Sequence, residues 1–332
     1  MGVTAERWLE TYSAKYPIYK IVAKAVEGAI TDSLAGLPVS LHSISARAKS
    51  PDSVAAKIKR KNYGRPQIQM TDIIGVRIIT SYSRGVETVA SRLKDLYEID
   101  EAQSIDKRQI LGINTTGYRS VHLIASLGKV GTTGEAERIL QKLKVEIQIR
   151  SIIEHAWAEI EHELRYKSGV LLPPEVQRRF SVLAGTLELV DREFDALANE
   201  LVVLVDWYKA GYSRDERLDE PFDSARLMGF FLSSRPGIPA LGSMGMPLPF
   251  GVAAECVRIL DSADLANAGR LGPVIESSAF RRLVREYADR QDVEPSAVSA
   301  LVVVAAAIAV KKPELLSQYA LLSDSTLKGL IS

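Results

Sequence analysis

The stretch Lys144-Val-Glu-Ile-Gln-Ile-Arg150 constrains this chain more than any other. A strand turns successive side chains to opposite faces, so Val145, Ile147 and Ile149 point one way and Glu146, Gln148 and Arg150 the other. The first set calls for a core beneath it. The second puts a carboxylate, an amide and a guanidinium in one row. Alone, that row reads more readily as the solvated face of an edge strand. The following residues, Ser151 to Lys167, carry a helical pattern that begins directly behind it.

Composition narrows the function classes. A chain of 332 residues, 46% hydrophobic and 25% charged, is ordinary globular material, long enough for two domains. Its net charge of +1 provides no global field toward nucleic acid or an anionic membrane. Phosphate chemistry therefore has to rest on a local basic cluster. The single Cys256 leaves no intrachain disulfide and no thiolate metal site, which fits a reducing cytoplasm. The N-terminus is amphipathic and acidic early, unlike a signal peptide. The longest apolar run, Ala300 to Val310, is short of the roughly 20 residues a bilayer span needs. A cytoplasmic protein with no membrane partner is expected. The four histidines, His42, His122, His155 and His162, are not followed by Asp and show no zinc-site spacing, so a His-Asp hydrolase centre is not expected.

Along the chain, residues 4–36 read as helix interrupted before Pro17, and 39–48 as a strand. Ser50-Pro51 is an N-cap followed by proline at the first helical position, opening a basic helix to about Lys61. Ile73 to Thr80 is an apolar strand, and 85–97 an amphipathic helix. Strands are expected near 99–108, 119–127 and 143–150, with a turn at 128–134. Helices should cover 151–167 and, after Pro173-Pro174, run to about Tyr208. The expected class is α/β (α+β), a mixed sheet flanked by helices. Breaker residues crowd 235–250. The expected division is therefore 1–210, a linker over 211–250, and an all-α region over 251–332.

Four clusters carry chemistry. Arg47 and Lys49 share a strand face, Ser53 falls in the first turn of the next helix, and Lys57 and Lys61 lie one turn apart on it. Together they form a polyanion cradle suited to a triphosphate. The alternative is a solvated basic face. Asp72 stands at the mouth of the apolar strand, where a carboxylate is a natural Mg²⁺ ligand beside phosphate oxygens. Arg77, inside that apolar run, must meet a carboxylate, a phosphate or a ring; an Asp72–Arg77 ion pair is the structural alternative. In Thr116-Gly-Tyr-Arg-Ser-Val-His122, Tyr118 and His122 share a face, and the ring can stack on a base. Finally, His155, Glu159 and His162 or Glu163 follow the Glu146 row at helical spacing.

Arg-x-Lys-x-x-Ser, Asp-x-x-Gly-x-Arg, Gly-Tyr-x-Ser-x-His and Glu-x-Gln-x-Arg occur in that order within 47–167, the last followed by a Trp-Ala-x-x-Glu-His-x-Leu-x-Tyr-Lys helix. The combination resembles the RelA/SpoT alarmone synthetase domain over about residues 20–210. The resemblance implies a nucleotidyltransferase-like sheet. It implies transfer of the β,γ-diphosphate of ATP to the 3′-hydroxyl of GDP or GTP, giving (p)ppGpp and AMP, with Mg²⁺ as cofactor. Asp72 and Glu146 would hold the metal, and Glu146 would act as base. Arg47 and Arg77 would clasp adenine, while Lys49, Ser53, Lys57 and Lys61 bind the ATP phosphates. Tyr118 would stack on guanine, and His122, Gln148, Arg150 and His155 would order the acceptor.

Two departures leave the acceptor open. Residues 109–116 lack the Pro-Lys pair that family members often carry, and His155 stands where small synthetases often have Asn. GDP, GTP and, as in toxic relatives, the 3′ end of tRNA remain acceptor readings; a non-catalytic nucleotide-binding regulator is the third class. No hydrolase activity is expected. Residues 211–332 resemble nothing named. A regulatory, an antitoxin-like and an oligomerisation module all fit, the last implying a homo-oligomer. Arg281, Arg282 and Arg285 read as a solvated face.

Overall fold

The structure is a computed structural model that describes residues 3–106, 120–128, 130–166, 173–233, 250–293 and 298–322. The chain divides into two compact units, Met1–Ala196 and Leu197–Ser332.

The first unit is built on a six-stranded mixed sheet. Its strands are β1 (Leu41–Ala48), β2 (Ile74–Thr80), β3 (Glu98–Ile99), β4 (Ile105–Asp106), β5 (Val121–Ser126) and β6 (Val145–Ser151). Their spatial order is β1-β2-β6-β5-β3, with β4 also on β5. Among the described residues only β2 and β6 run parallel; the other pairs are antiparallel. The chain between β2 and β6 is long enough for the crossover that a parallel pair demands.

Register explains the two faces. Ala46, Val76, Ile147 and Leu123 lie side by side across four strands, as do Ile44, Ile78, Ile149 and Val121. These rows form the core with helix α1 (Val3–Leu34) and helix α4 (Ser83–Leu96). The opposite face carries Ser45, Arg77, Gln148 and His122 in one row and Arg47, Gly75, Glu146 and Ile124 in the next. Alternation on β6 therefore runs as expected: Val145, Ile147 and Ile149 are fully buried, and Glu146, Gln148 and Arg150 are half-buried.

Helix α1 does not break at Pro17, contrary to expectation; the proline lies inside one continuous helix. Its buried stripe (Ala5, Tyr12, Tyr19, Val22, Val26, Ile30, Leu34) extends on both sides of the proline. Packing along that whole stripe outweighs the lost hydrogen bond. Helix α2 (Pro51–Lys61) starts as the sequence predicts, with the Ser50 hydroxyl accepting from the Ser53 amide at 3.3 Å and Pro51 in the first turn. It ends on Asn62 in the left-handed region, φ 51°. A single turn, α3, covers Pro66–Gln69. The strand expected over 99–108 is two short pieces, because the Asp100 side chain and carbonyl accept from Gln103 and Ser104 and turn the chain between them. Helix α5 (Gly134–Leu140) joins the expected turn at 128–134 to β6.

Behind β6, helix α6 (Ile152–Tyr166) opens on a reciprocal cap. The Glu154 amide donates to the Ser151 hydroxyl at 3.1 Å, and the Ser151 amide to the Glu154 carboxylate at 2.8 Å. The long helix α7 (Pro174–Ser213) supplies Asp191, which accepts from the Ser151 hydroxyl at 2.6 Å, and Asp195, which caps the Arg84 amide of α4 at 3.1 Å. These contacts fix where the β6–α6 junction sits.

The second unit is helical: α8 (Ser224–Leu232), α9 (Phe250–Ser262), α10 (Ala268–Ile275), α11 (Ser278–Gln291) and α12 (Ala300–Lys311), with two 3₁₀ turns. Residues 302–308 of α12 are buried on every side, as the apolar run predicted. The division into units falls inside α7, not in 211–250. Helix α8 lies within that expected linker, with six of its residues buried, five of them in the core of the second unit. Its sequence, Ser-Ala-Arg-Leu-Met-Gly-Phe-Phe-Leu, is too apolar for a linker. Most of the breaker-rich run at 235–250 lies outside the described residues. Arg281, Arg282 and Arg285 are exposed.

Candidate active site

The polar face of the sheet collects most of the candidate residues, and local structure explains each position. The Lys49 amide donates to the Ile73 carbonyl at 2.9 Å, extending the β1–β2 ladder past both strands. Lys49 and Asp72 are thereby brought to the same end of the sheet. Helix α2, started by Ser50, then turns Lys57 back toward them. Both ammonium groups converge on one oxygen: Lys49 Nζ is 2.7 Å and Lys57 Nζ 2.6 Å from Asp72 Oδ2. Burial alone would raise the Asp72 pKa, but the two lysines outweigh it and hold the carboxyl below its ordinary value.

Asp72 Oδ1 is buried and has no hydrogen-bond partner among the described residues. An ionised carboxylate with one oxygen saturated by lysines and the other unmet keeps lone pairs that a cation could take. Glu146 stands on the neighbouring strand, opposite Gly75 and close enough to Asp72 for each charge to be felt by the other. Its Oε1 lies 3.1 Å from His122 Nδ1. Burial pushes the Glu146 carboxyl up; the His122 contact and the Gln148 side chain more than offset this, and it stays below its ordinary value. Among the described residues no group of three or more His, Cys, Asp or Glu forms a metal cage. Two carboxylates suit Mg²⁺, which completes its octahedron with water and phosphate oxygens.

Arg77 pairs with Glu159 of α6, Nη1 to Oε1 at 3.1 Å, so the Asp72–Arg77 pair considered as a structural alternative does not form. The lysines already hold Asp72. Arg47 lies opposite Gly75 and diagonal to Arg77 on the same face. A Cβ at Gly75 would meet nothing within 4 Å, so the floor between Arg47, Arg77 and Glu146 is bare. A planar ring between two guanidinium groups fits such a floor.

Arg150 and His155 extend the row toward α6. Burial and the nearby Arg77 charge depress the Arg150 pKa, against Glu154, Glu159 and Glu146. Burial, Arg77 and Arg150 likewise depress His155, which leaves it neutral at physiological pH, with Glu159 Oε1 3.8 Å from its Nδ1. Ser53 is exposed in the first turn of α2, and its Oγ accepts from the Ser50 hydroxyl at 2.8 Å. Lys61, at the far end of α2, is exposed and has no bond to the other candidates among the described residues. Tyr118 and the 109–116 stretch lie outside the described residues.

Tyr12 was missed in the sequence. Its hydroxyl donates a short hydrogen bond to the Lys49 carbonyl, and Tyr16 reaches the Ala48 carbonyl at 3.5 Å. Helix α1 thus braces the turn that presents Lys49. The signal was present as an aromatic stripe at helical spacing (Trp8, Tyr12, Tyr16, Tyr19), whose rings pack together.

The site lies inside a recognised segment. Residues 46–170 match the model of the region found in RelA/SpoT proteins. The chain is 29% identical over 181 residues to the GTP pyrophosphokinase YjbM of Bacillus subtilis strain 168, covering 53% of this chain and 79% of that one. It is 31% identical over 160 residues to the GTP pyrophosphokinase YwaC of the same strain, covering 47% and 73%. The crystal structure of small alarmone synthetase 2 from Bacillus subtilis aligns with a TM-score of 0.46 at 26% identity, over 57% of this chain and 98% of that one. The family match over residues 46–170 and the 31% identity to YwaC across 73% of its length show that the chain belongs to the RelA/SpoT family.

Proposed function

We propose that this chain is a GTP diphosphokinase that transfers the β,γ-diphosphate of ATP to the 3′-hydroxyl of GDP or GTP, releasing AMP and forming ppGpp or pppGpp. The observation that carries the reading is the Lys49–Asp72–Lys57 cluster, with Asp72 Oδ1 unmet and Glu146 on the adjacent strand. Two relatives named GTP pyrophosphokinases support it.

Pyrophosphoryl transfer asks for alignment and charge neutralisation more than covalent help from the protein. Arg47 and Arg77 grip adenine over the bare floor at Gly75. Lys49 and Lys57 release Asp72 to bind the ATP phosphates, joined by Ser53 and the positive end of the α2 dipole. Lys61 extends the cationic surface one turn further. Asp72 Oδ1 and Glu146 would hold Mg²⁺, which when bound neutralises charge on the transferred diphosphate.

Glu146, kept ionised by His122 and Gln148, accepts the hydrogen bond of the 3′-hydroxyl. A carboxylate held this low is a weak base. It takes the proton only as the new O–P bond forms and the hydroxyl becomes acidic. Tyr118 stacks on the acceptor guanine, while Gln148, Arg150 and neutral His155 order the acceptor.

The test is transfer of label from γ-labelled ATP, in the presence of Mg²⁺, to GDP, GTP or deacylated tRNA. Label in ppGpp or pppGpp supports the proposal. Label only in tRNA, or none with any acceptor, overturns it.

A further inference from the structure

The clasp assigned to the donor base has two unlike arms. Arg47 is exposed and makes no ion pair among the described residues. Arg77, diagonal to it across β1 and β2, is held. Its neighbours make that holding necessary. Arg150 and His155 both feel its positive charge. The Arg150 cation beside a third-exposed guanidinium favours its swinging out to water. Among the described residues, the only carboxylate within ion-pair distance of Arg77 is Glu159. The helix supplies it by geometry: α6 starts at the reciprocal Ser151–Glu154 cap and places Glu159 one turn beyond His155, beside β2.

We infer that Glu159 is a positioning residue for the donor nucleotide, keeping the Arg77 guanidinium on the sheet face where it meets the adenine ring. The inference rests on the proposed function, because Arg77 must belong to the donor site for Glu159 to act through it. Glu159 touches neither substrate nor metal in this reading; it fixes one arm of the clasp and leaves Arg47 as the movable one.

The expected effect is selective. The carboxylate is 55% exposed, so the pair is partly screened by water and its loss is modest. Removing Glu159 also removes a charge that favours protonated His155, and that ring is already neutral at pH 7.5. The acceptor side therefore stays unchanged.

The experiment combines steady-state kinetics with calorimetric titration of a non-hydrolysable ATP analogue, on the full chain at pH 7.5. Glu159→Ala should raise the KM for ATP and the analogue's Kd about three- to tenfold, with kcat and the acceptor KM within twofold. Glu159→Gln, which keeps a hydrogen-bond acceptor, should fall between wild type and Glu159→Ala. In an Arg77→Ala background, Glu159→Ala should add nothing. An unchanged ATP affinity in Glu159→Ala, or full additivity with Arg77→Ala, overturns the inference while the donor site stands. If Arg77→Ala itself leaves ATP affinity unchanged, the donor-site reading falls and this inference falls with it.

Discussion

Strand β6 and helix α12 both supply fully buried apolar side chains, yet only one carries candidate chemistry. In β6, every second side chain is buried, and the others lie in a polar row. In α12, Val302 to Ile308 are buried without a break. A strand covered on one face frees half its residues for polar work; a helix surrounded by its neighbours frees none. The same contrast holds for two glycines. Gly75 lies on the polar face with open space above it, whereas a Cβ at Gly229 would lie 2.6 Å from the Tyr208 Cβ and 2.9 Å from the Lys209 amide nitrogen. One glycine leaves room for a ligand; the other lets two helices touch.

The sharpest way to break this comparison is Glu146→Gln. Turnover should fall by about 10³-fold or more, equivalent to ~4 kcal/mol of barrier, while ATP binding stays nearly intact. Retained turnover in the labelled-ATP assay refutes its role as base. Next comes Gly229→Ala, which should destabilise the second unit by about 2 kcal/mol through overpacking against backbone. Denaturant unfolding measures this, and label transfer below the transition should be unaffected. A neutral Gly229→Ala would show that the close approach is not needed.

Third, Tyr118→Ala should raise the acceptor KM roughly tenfold, about 1.4 kcal/mol, and spare ATP. An unchanged acceptor KM removes the stacking role. Fourth, Gly75→Ala should leave the unfolding midpoint within about 0.5 kcal/mol of wild type yet weaken ATP binding a few-fold, because the new methyl occupies the floor beneath the base. Loss of stability there would contradict the open space above β2.

The acid side offers the smallest and most diagnostic effect. Asp72 is held below its ordinary value of 3.8, so near and below that pH the folded state binds fewer protons than the unfolded one. Its contribution is fully present above pH 3.8 and is lost as pH falls through the lowered folded value. Asp72→Asn should flatten the acid limb of a stability-against-pH curve; an unaltered limb would mean that the two lysines do not stabilise the carboxylate.

Much of this was legible in the residues alone. Period-two alternation assigned the faces of β6, Ser50-Pro51 marked the start of α2, and the all-round apolar run marked α12 as buried. These are local properties, set by backbone geometry within a few residues. What the sequence could not decide was partnership. Arg77 had Asp72 five residues away and instead pairs with Glu159, eighty-two positions on, because β2 and β6 run side by side and α6 returns across them. Lys49 and Lys57 share one Asp72 oxygen only because the β1–β2 ladder extends past both strands. Tyr12 braces Lys49 from a helix whose proline suggested a break. Spacing determines which face a side chain takes; only the packing of distant segments determines which charge it meets there, since an ion pair depends on distance in space and hardly at all on separation along the chain.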